Sequence, residues 1–237
     1  VFDHKGKPHE SNSRHDLRLV GVDEGTIFGF EQEFTLVEKN GTPVGLRLDP
    51  KEQGQYYCGV GSCNILGREL MDKFIECCER AGIELAGINA EVMPAQWEFQ
   101  NIPKNALKAS DDLWVARYIL NRISEEFGVG ISLDAKPHPD FNGAGCHTNF
   151  STYKMRTRRS NLAVEKFLEV LKVDHERHLE ACGEGYKERL SGDCETSTWE
   201  TFSHGVGDRS CSIRIPTKAY VENGPIYLED RRPCANM

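Results

Sequence analysis

The sequence has no uninterrupted apolar run of the roughly 18 residues that a membrane-spanning helix needs. Its opening residues, VFDHKGKPHESNSRHD, also lack the apolar stretch of a secretory signal. Basic residues are too few for a nucleic-acid or anionic-membrane surface, because 29 Lys and Arg face 37 Asp and Glu and leave a net charge of −8. We therefore expect a soluble, cytoplasmic protein with no nucleic acid and no membrane among its partners.

Cysteine is abundant, with nine residues, but the spacing that zinc sites need is missing. No C-x-x-C pair occurs, and an odd count in a long acidic chain is typical of reduced, mostly buried thiols rather than of a disulfide framework. The sequence also contains neither a Walker A motif nor a dinucleotide fingerprint. Zinc bound by cysteine and the two common glycine-rich nucleotide loops are therefore not expected.

The chain divides into a short polar start and one long domain. Residues 1–25 lack sustained periodicity, which is typical of a connecting segment, and a single domain is expected over residues 26–237. The sequence stops at RRPCANM, directly after a dense polar motif, as expected of a piece of a longer protein.

Three helices are predicted from apolar residues at helical spacing. They cover about 66–82, 110–128 and 161–182. Gly82 is expected to close the first helix, and Ser110 is expected to be the N-cap of the second.

Between the helices, side chains alternate with the period of a strand. In GFEQEFTL, Glu31 and Glu33 point to one face and the aromatic residues to the other, and QWEFQ and SCSIRIP repeat this alternation. Such strands favour an antiparallel sheet with helices packed on its apolar face. The expected fold is therefore α+β, with an open polar face that could form the active site.

Two neighbouring carboxylates on one strand are ordinarily a solvated sheet face, but Glu31 and Glu33 are not alone. Further acids stand in strand-like settings: Glu91, Glu98 and Glu229. Converging carboxylates repel unless cations lie between them, and Mg²⁺ or Mn²⁺ favours oxygen ligands supplemented by water and phosphate. His147, beside the turn in NGAGCHTNFST, could add an imidazole, although a single histidine there is usually structural.

The C-terminal third contains a group of arginines: Arg189, Arg209, Arg214 and Arg231. Each alone would be interpreted as a surface salt bridge. Together with the acids, their planar guanidinium groups could hold phosphoryl oxygens and a carboxylate bidentately. Residue chemistry thus predicts a metal-dependent site for a phosphorylated ligand that could also carry a carboxylate, without naming the substrate.

Seven motifs, taken in order, resemble type II glutamine synthetase: FGFEQEFTL, YYCGVG, NAEVMPAQWEFQ, NGAGCHTNFST, ETS, RSCSIRIP and EDRRPCAN. The resemblance covers roughly residues 26–237, and the ordered co-occurrence of several long motifs makes it very specific. It implies a catalytic domain that condenses glutamate with ammonia to give glutamine, using ATP to form γ-glutamyl phosphate. It also implies two or more Mg²⁺ or Mn²⁺ ions and a cytoplasmic location, with a plastid as a second possibility.

The resemblance also implies roles for individual residues. One ion would be bound by Glu33, Glu91 and Glu98, and the other by Glu31, His147 and Glu229. Glutamate and ammonium would be bound by Tyr57, Asn142, Gly143, Arg189 and Arg231. ATP would contact Asn149, Ser151, Arg156, Arg214 and Tyr227. The catalytic groups would be Arg209 and Arg214, which face the phosphates, and Glu195, a mobile-loop carboxylate that helps to deprotonate ammonium and excludes water.

The sequence departs from the family's pattern at two positions. Trp is usual at Ile27, beside the adenine, and His usually stands at Cys194, so nucleotide stacking and loop behaviour could differ. Family members also carry an N-terminal β-grasp domain, whose acidic loop completes the ammonium site of the neighbouring subunit, and further helices after the last motif. Neither is present in residues 1–237. The family assembles as two stacked rings of five identical subunits.

Two alternatives stay open from the sequence. The protein could join glutamate to a larger amine, although Tyr57 and Glu195 favour ammonium. It could also be a non-catalytic relative with a structural or regulatory role. Retention of all six candidate metal ligands argues against that role, because a decayed site has no physical need for clustered carboxylates.

Overall fold

The fold is built on one sheet. The computed structural model describes residues 1–20, 25–46, 55–157, 161–193, 196–222 and 224–237. The strands are β1 Ile27–Val37, β2 Leu85–Ala90, β3 Gln96–Asn101, β4 Gly130–Ser132, β5 Cys146–Ser151, β6 His204–Val206, β7 Ile213–Ile215 and β8 Leu228–Asp230. Within the described ranges they form an 8-stranded sheet in the order β2-β3-β1-β5-β8-β7-β6, with β4 also pairing with β1.

The pairings are antiparallel except between β6 and β7, which run parallel. The 11-residue strand β1 is central, because it pairs with β3, β4 and β5. The predicted α+β fold with an antiparallel sheet is confirmed, and the single parallel pair at one edge is a feature that alternation could not predict.

Eight helices lie within the described ranges. They are α1 Ser13–Leu19, α2 Arg68–Arg80, α3 Ala106–Phe127, α4 Tyr153–Thr157, α5 Asn161–Val173, α6 His175–Glu180, α7 Tyr186–Arg189 and α8 Thr217–Val221. The largest apolar cluster joins β1 and β3 to α2 and α3, and Phe74 of α2 lies 5.1 Å from Phe99 of β3 between ring centroids. Side chains at the alternate positions of these strands point to the other face, and they include Glu31, Glu33 and Glu98.

Two of the helix predictions need correction. Gly82 follows α2 with φ of 73°, in the left-handed region expected of a closing glycine. Ser110, however, is not the N-cap of α3, because that helix begins four residues earlier. The side chain of Asn105 accepts a hydrogen bond from the main-chain N–H of Lys108 and caps the first turn instead.

The third predicted helix, over 161–182, is divided. It consists of α5 and α6, which are separated at Asp174. His175 at the start of α6 is buried; its Nε2 donates to the carbonyl of Trp199 at 2.8 Å, and its Nδ1 accepts from the guanidinium of Arg232 at 3.0 Å. These contacts orient α6 independently of α5, a tertiary effect that helical periodicity does not contain.

The first residues of the chain also contain structure. Within the segment predicted as a connection, α1 lies against α3, and Arg14 forms an ion pair with Asp111 at 2.7 Å. The domain boundary at residue 26 stays a prediction. Among the described helices, none combines the length and the apolar character that crossing a bilayer would require.

The described cysteines are all free thiols, and most of them are buried, as expected. Cys194 lies outside the described residues.

Candidate active site

The strand register brings the acidic residues together on the polar face. Glu33 of β1 lies opposite Glu98 of β3, and Glu31 lies opposite His147 of β5. Glu229 of β8 joins them from the far side of β5, where it pairs with Asn149. Because side chains of alternate residues share a face, neighbouring strands deliver these groups to one place.

Together with Glu91, these five groups form two compact clusters. In the first, which we term the acid triad, ligand atoms of Glu33, Glu91 and Glu98 all lie within 4.8 Å of one another. In the second, the histidine triad, the same holds for Glu31, His147 and Glu229. The side chains are buried, apart from a partly exposed Glu31. The two groupings coincide with the two ligand sets that the sequence resemblance implied.

Glu98 of the acid triad is a buried carboxyl group surrounded by other acids. Burial, followed by repulsion from Glu33 and Glu31, raises the pKa of Glu98 to about 8, even though Gln100 donates a hydrogen bond to it. A divalent cation among the three carboxylates would remove this repulsion. Three oxygen donors suit Mg²⁺ or Mn²⁺, so the residues fit the metal that the sequence predicts.

His147 of the histidine triad is oriented by an arginine. Arg189 has only donors, so its Nη2, 3.1 Å from His147 Nε2, makes that ring nitrogen an acceptor. The Nδ1 atom then faces the carboxylates, 3.4 Å from Glu31 and 3.5 Å from Glu229. Burial, together with the charge of Arg231, lowers the pKa of His147 well below its usual value, so the imidazole is neutral. With Nε2 accepting, its one proton is on Nδ1, which donates to Glu31, and a cation bound at Nδ1 would have to displace that proton.

Glu229 is held by two arginines. Arg214 approaches one of its oxygens at 2.5 Å and Arg231 the other at 2.6 Å. Glu229 is fully buried, and Arg231 is 1% exposed. The charge of this carboxylate is therefore already compensated by the protein.

A polar cavity of about 200 Å³ opens above the triads. Its walls are Glu31, Glu33, Tyr57, Asn89, Glu98, His147, Arg209, Arg214 and Arg231. At its rim both terminal nitrogens of Arg209 donate to the hydroxyl of Tyr57 at 3.2 Å. The cavity thus combines carboxylates with arginines, a lining that suits an anion carried with divalent cations.

A second cavity, of about 320 Å³, adjoins the first and is mainly apolar. Ile27, Phe150, Pro225 and Ile226 contribute apolar wall. Four residues predicted to contact ATP also line it: Asn149, Ser151, Arg156 and Tyr227. Glu31 belongs to the walls of both cavities, so an occupant of the apolar cavity would lie beside the histidine triad.

The predicted substrate residues Asn142, Gly143 and Arg189 lie just behind the triads. Asn142 and Arg189 are buried, and Arg189 Nη1 donates to the main-chain oxygens of Arg231 and Arg232 at 3.0 and 3.1 Å. A Cβ on Gly143 would lie 2.6 Å from the Cγ of Arg189, so only glycine leaves room for this side chain. Glu195, the predicted loop carboxylate, lies outside the described residues.

The comparison with protein families decides what kind of site this is. The family model described as glutamine synthetase, catalytic domain, matches residues 14–167. This chain belongs to the glutamine synthetase family. The resemblance identified from the motifs is thereby confirmed.

Individual glutamine synthetases are similar over almost the whole chain. The enzyme of Neurospora crassa is 44% identical over 98% of this chain, a cytosolic isozyme of Oryza sativa is 44% identical over 98%, and the mitochondrial glutamine synthetase 1 of Drosophila melanogaster is 47% identical over 98%. The chain spans 65%, 67% and 60% of the length of these relatives, respectively. A cryo-electron microscopy structure of Plasmodium falciparum glutamine synthetase shares the fold, with a TM-score of 0.78 at 18% identity over 98% of this chain and 53% of that chain.

Sequence reasoning about this glutamine synthetase domain missed polar groups that support the triads. Asn89 donates to Glu91 at 3.0 Å and accepts a hydrogen bond from Gln100 at 2.7 Å. Gln32 and Arg117 are buried on the helix side of the sheet. A signal for the latter pair was present, because each is a lone polar residue within an otherwise apolar stripe.

Proposed function

We propose that the protein to which this chain belongs is a glutamine synthetase that ligates ammonia to glutamate through γ-glutamyl phosphate, at the expense of ATP. The observation that carries the proposal is the placement of the two triads side by side beneath an arginine-lined cavity, next to an apolar cavity. Membership of the family supplies the reaction. Because the chain spans about two thirds of its relatives' length, the activity belongs to the whole protein.

The triads are proposed to bind Mg²⁺ or Mn²⁺. The acid triad would hold an ion on the side of glutamate and ammonia, and the histidine triad an ion on the side of the phosphates. When bound, such ions would neutralise the clustered acids and polarise the γ-phosphoryl group as Lewis acids. Arg189 contributes by orienting the ring of His147 so that Nδ1 faces the histidine triad, and an ion bound there would take the place of the Nδ1 proton.

ATP is proposed to span the two cavities. The base would occupy the apolar cavity, beside Tyr227 and Ile27, and the triphosphate would run over Glu31 into the polar cavity. There Arg209 and Arg214 can contact phosphoryl oxygens, and their positive charge would stabilise the negative charge that develops during transfer. Asn149, Ser151 and Arg156 complete the proposed nucleotide contacts.

Glutamate and ammonium are proposed to enter the polar cavity from the other end. Arg231 lines this cavity, and Arg189 lies directly behind it, so their guanidinium groups would bind the carboxylates of glutamate, with Asn142 and Gly143 at the amino group. Tyr57 would form one side of the ammonium pocket. Glu195 is proposed from the resemblance alone, to take a proton from ammonium and to keep water from the acyl phosphate.

The proposed partners are copies of the same chain. Family members place active sites between adjacent subunits of two stacked five-membered rings, so full activity is proposed to need the assembly. A cytoplasmic location is proposed, in line with the cytosolic relative, while the mitochondrial relative shows that the compartment varies among similar proteins.

A coupled phosphate-release assay on the full-length assembly tests the function. With glutamate, ATP and Mg²⁺ present, phosphate release should require ammonia. Release that proceeds equally without ammonia, or no release at all, would contradict the proposal. Release that depends instead on a larger primary amine would assign the protein to the glutamate–amine ligases.

A further inference from the structure

Gln32 is a fully buried polar residue on the apolar face of β1. It lies between Glu31 and Glu33 in sequence but points to the opposite side of the sheet. Its amide nitrogen donates to the main-chain oxygens of Glu33, at 2.7 Å, and Ala235, at 3.0 Å. Its side-chain oxygen accepts a hydrogen bond from Arg117 Nε at 2.7 Å. Gln32 therefore ties the strand that carries two of the triad acids to helix α3.

Arg117 extends this contact to β5 and to the end of the described chain. Its Nη1 donates to the main-chain oxygen of Met237 at 2.9 Å, and its Nη2 donates to that of Ala235 at 3.0 Å. The same Nη2 lies 3.9 Å from the sulfur of Cys146, which directly precedes His147 on β5. One guanidinium thus contacts β1, β5 and the segment 235–237 together.

The charge of Arg117 is unusual for a residue at this depth. Arg117 is 4% exposed, and its partners are a side-chain amide, a thiol, the ring of Trp114 and the main-chain oxygens of Ala235 and Met237. Within the described part of the chain, no carboxylate side chain forms an ion pair or hydrogen bond with it. A buried cation without a carboxylate side chain as partner is costly unless charges elsewhere compensate it, and the acidic triads occupy the other face of the strands that it contacts.

We propose that Arg117 is a positioning residue for both triads. By holding Gln32, Cys146 and the segment 235–237 at once, it fixes β1 against β5 and so sets the affinity of the triads for divalent cations without touching them. The inference rests on the metal-binding role proposed above. Groups that orient metal ligands from outside the coordination sphere typically change metal affinity about 10- to 100-fold when they are removed.

Calorimetric titration with Mn²⁺ tests this role. Arg117→Lys keeps the charge but loses the planar fork, and we expect about tenfold weaker Mn²⁺ binding at both sites. The double variant Arg117→Met with Gln32→Leu replaces both members of the polar pair, so that neither is left buried without a hydrogen-bond partner. We expect it to bind Mn²⁺ more weakly still. Arg122→Met is the matched control, because Arg122 lies on the same helix, is exposed and pairs only with Glu125 among its described contacts. Its Mn²⁺ affinity should equal that of the wild type.

Near-UV circular dichroism decides whether each variant has kept its packing. A natively packed Arg117 variant with wild-type Mn²⁺ affinity at both sites overturns the inference. So does failure of both variants to fold, because Arg117 would then serve the fold as a whole. Wild-type protein that binds no Mn²⁺ would defeat the metal role in the proposed function instead, so the two failures are distinguishable.

Discussion

The two triads use neighbouring strands to gather negative charge, but they balance it differently. In the histidine triad a neutral imidazole replaces one carboxylate, and Glu229 forms ion pairs with Arg214 and Arg231. The acid triad has three carboxylates, and crowding raises the pKa of Glu98 to about 8. The protein's own cations therefore balance the first cluster, whereas Glu98 in the second needs a proton or a metal ion. Removing a carboxylate should consequently have opposite effects on the stability of the metal-free protein at the two clusters.

The largest effect is expected for Glu229→Gln. The change leaves the buried Arg231 and its neighbour Arg214 without their shared carboxylate, which should cost about 3 kcal/mol of unfolding free energy. Urea unfolding in the presence of EDTA measures it. Glu76→Gln, on the exposed side of α2, is the control. A loss below about 0.5 kcal/mol, the scale of surface substitutions, would show that the arginines do not depend on Glu229.

Metal binding should stabilise the protein by a similar amount for each site that is filled. At a free Mn²⁺ concentration of 100 times the dissociation constant, each occupied site adds about 2.7 kcal/mol. Thermal unfolding with Mn²⁺ against EDTA measures the gain, and Glu98→Ala should reduce it and remove one bound equivalent in calorimetry. An identical gain in wild type and variant would mean that the acid triad does not bind the ion.

Glu98→Gln should stabilise the metal-free protein. Because the folded pKa is raised to about 8, the folded state keeps a proton that the unfolded chain has lost, and stability falls as the pH rises from the ordinary carboxyl range to about 8. Glutamine carries no charge, so the variant should lose this pH dependence and be more stable than the wild type at pH 8. Urea unfolding at pH 5 and pH 8 in EDTA compares the two. Equal pH dependence of stability in wild type and variant would show that the pKa of Glu98 is not raised by its neighbours.

The smallest effect is expected at the rim of the polar cavity. Tyr57→Phe removes the hydroxyl that accepts two hydrogen bonds from Arg209, which are exposed and worth about 0.5 kcal/mol. Without this competitor Arg209 should bind phosphate about twofold more tightly, as measured by calorimetry with a non-hydrolysable ATP analogue. A weaker affinity would show that Tyr57 itself contacts the anion.

The placement of the acids was largely predictable from the sequence. Alternation in β1 and β3 determines that Glu31, Glu33 and Glu98 share a face, because side chains repeat every two residues along a strand. Alternation does not determine strand order, so the meeting of Glu229 with His147 across β5 and β8 rested on the resemblance.

Other features depend on long-range contacts that local patterns do not encode. The division of α5 from α6 follows from the contacts of His175 with Arg232 and Trp199, which are distant in sequence. The start of α3 at Ala106, by contrast, is set locally, because the side chain of Asn105 rather than that of Ser110 caps the helix, and apolar spacing alone does not choose between them. The site residue Glu195 lies outside the described residues, so its place stays a prediction.

Glu31 stands in the wall shared by the two cavities, and this position has a thermodynamic consequence. A nucleotide base in the apolar cavity and a cation at the histidine triad would both act on one carboxylate. If the bound cation raises the affinity for the nucleotide by some factor, the bound nucleotide must raise the affinity for the cation by the same factor, because linkage between binding sites is reciprocal. Loading of the ion and of ATP would then be a single cooperative event, in which neither ligand is held at full strength alone.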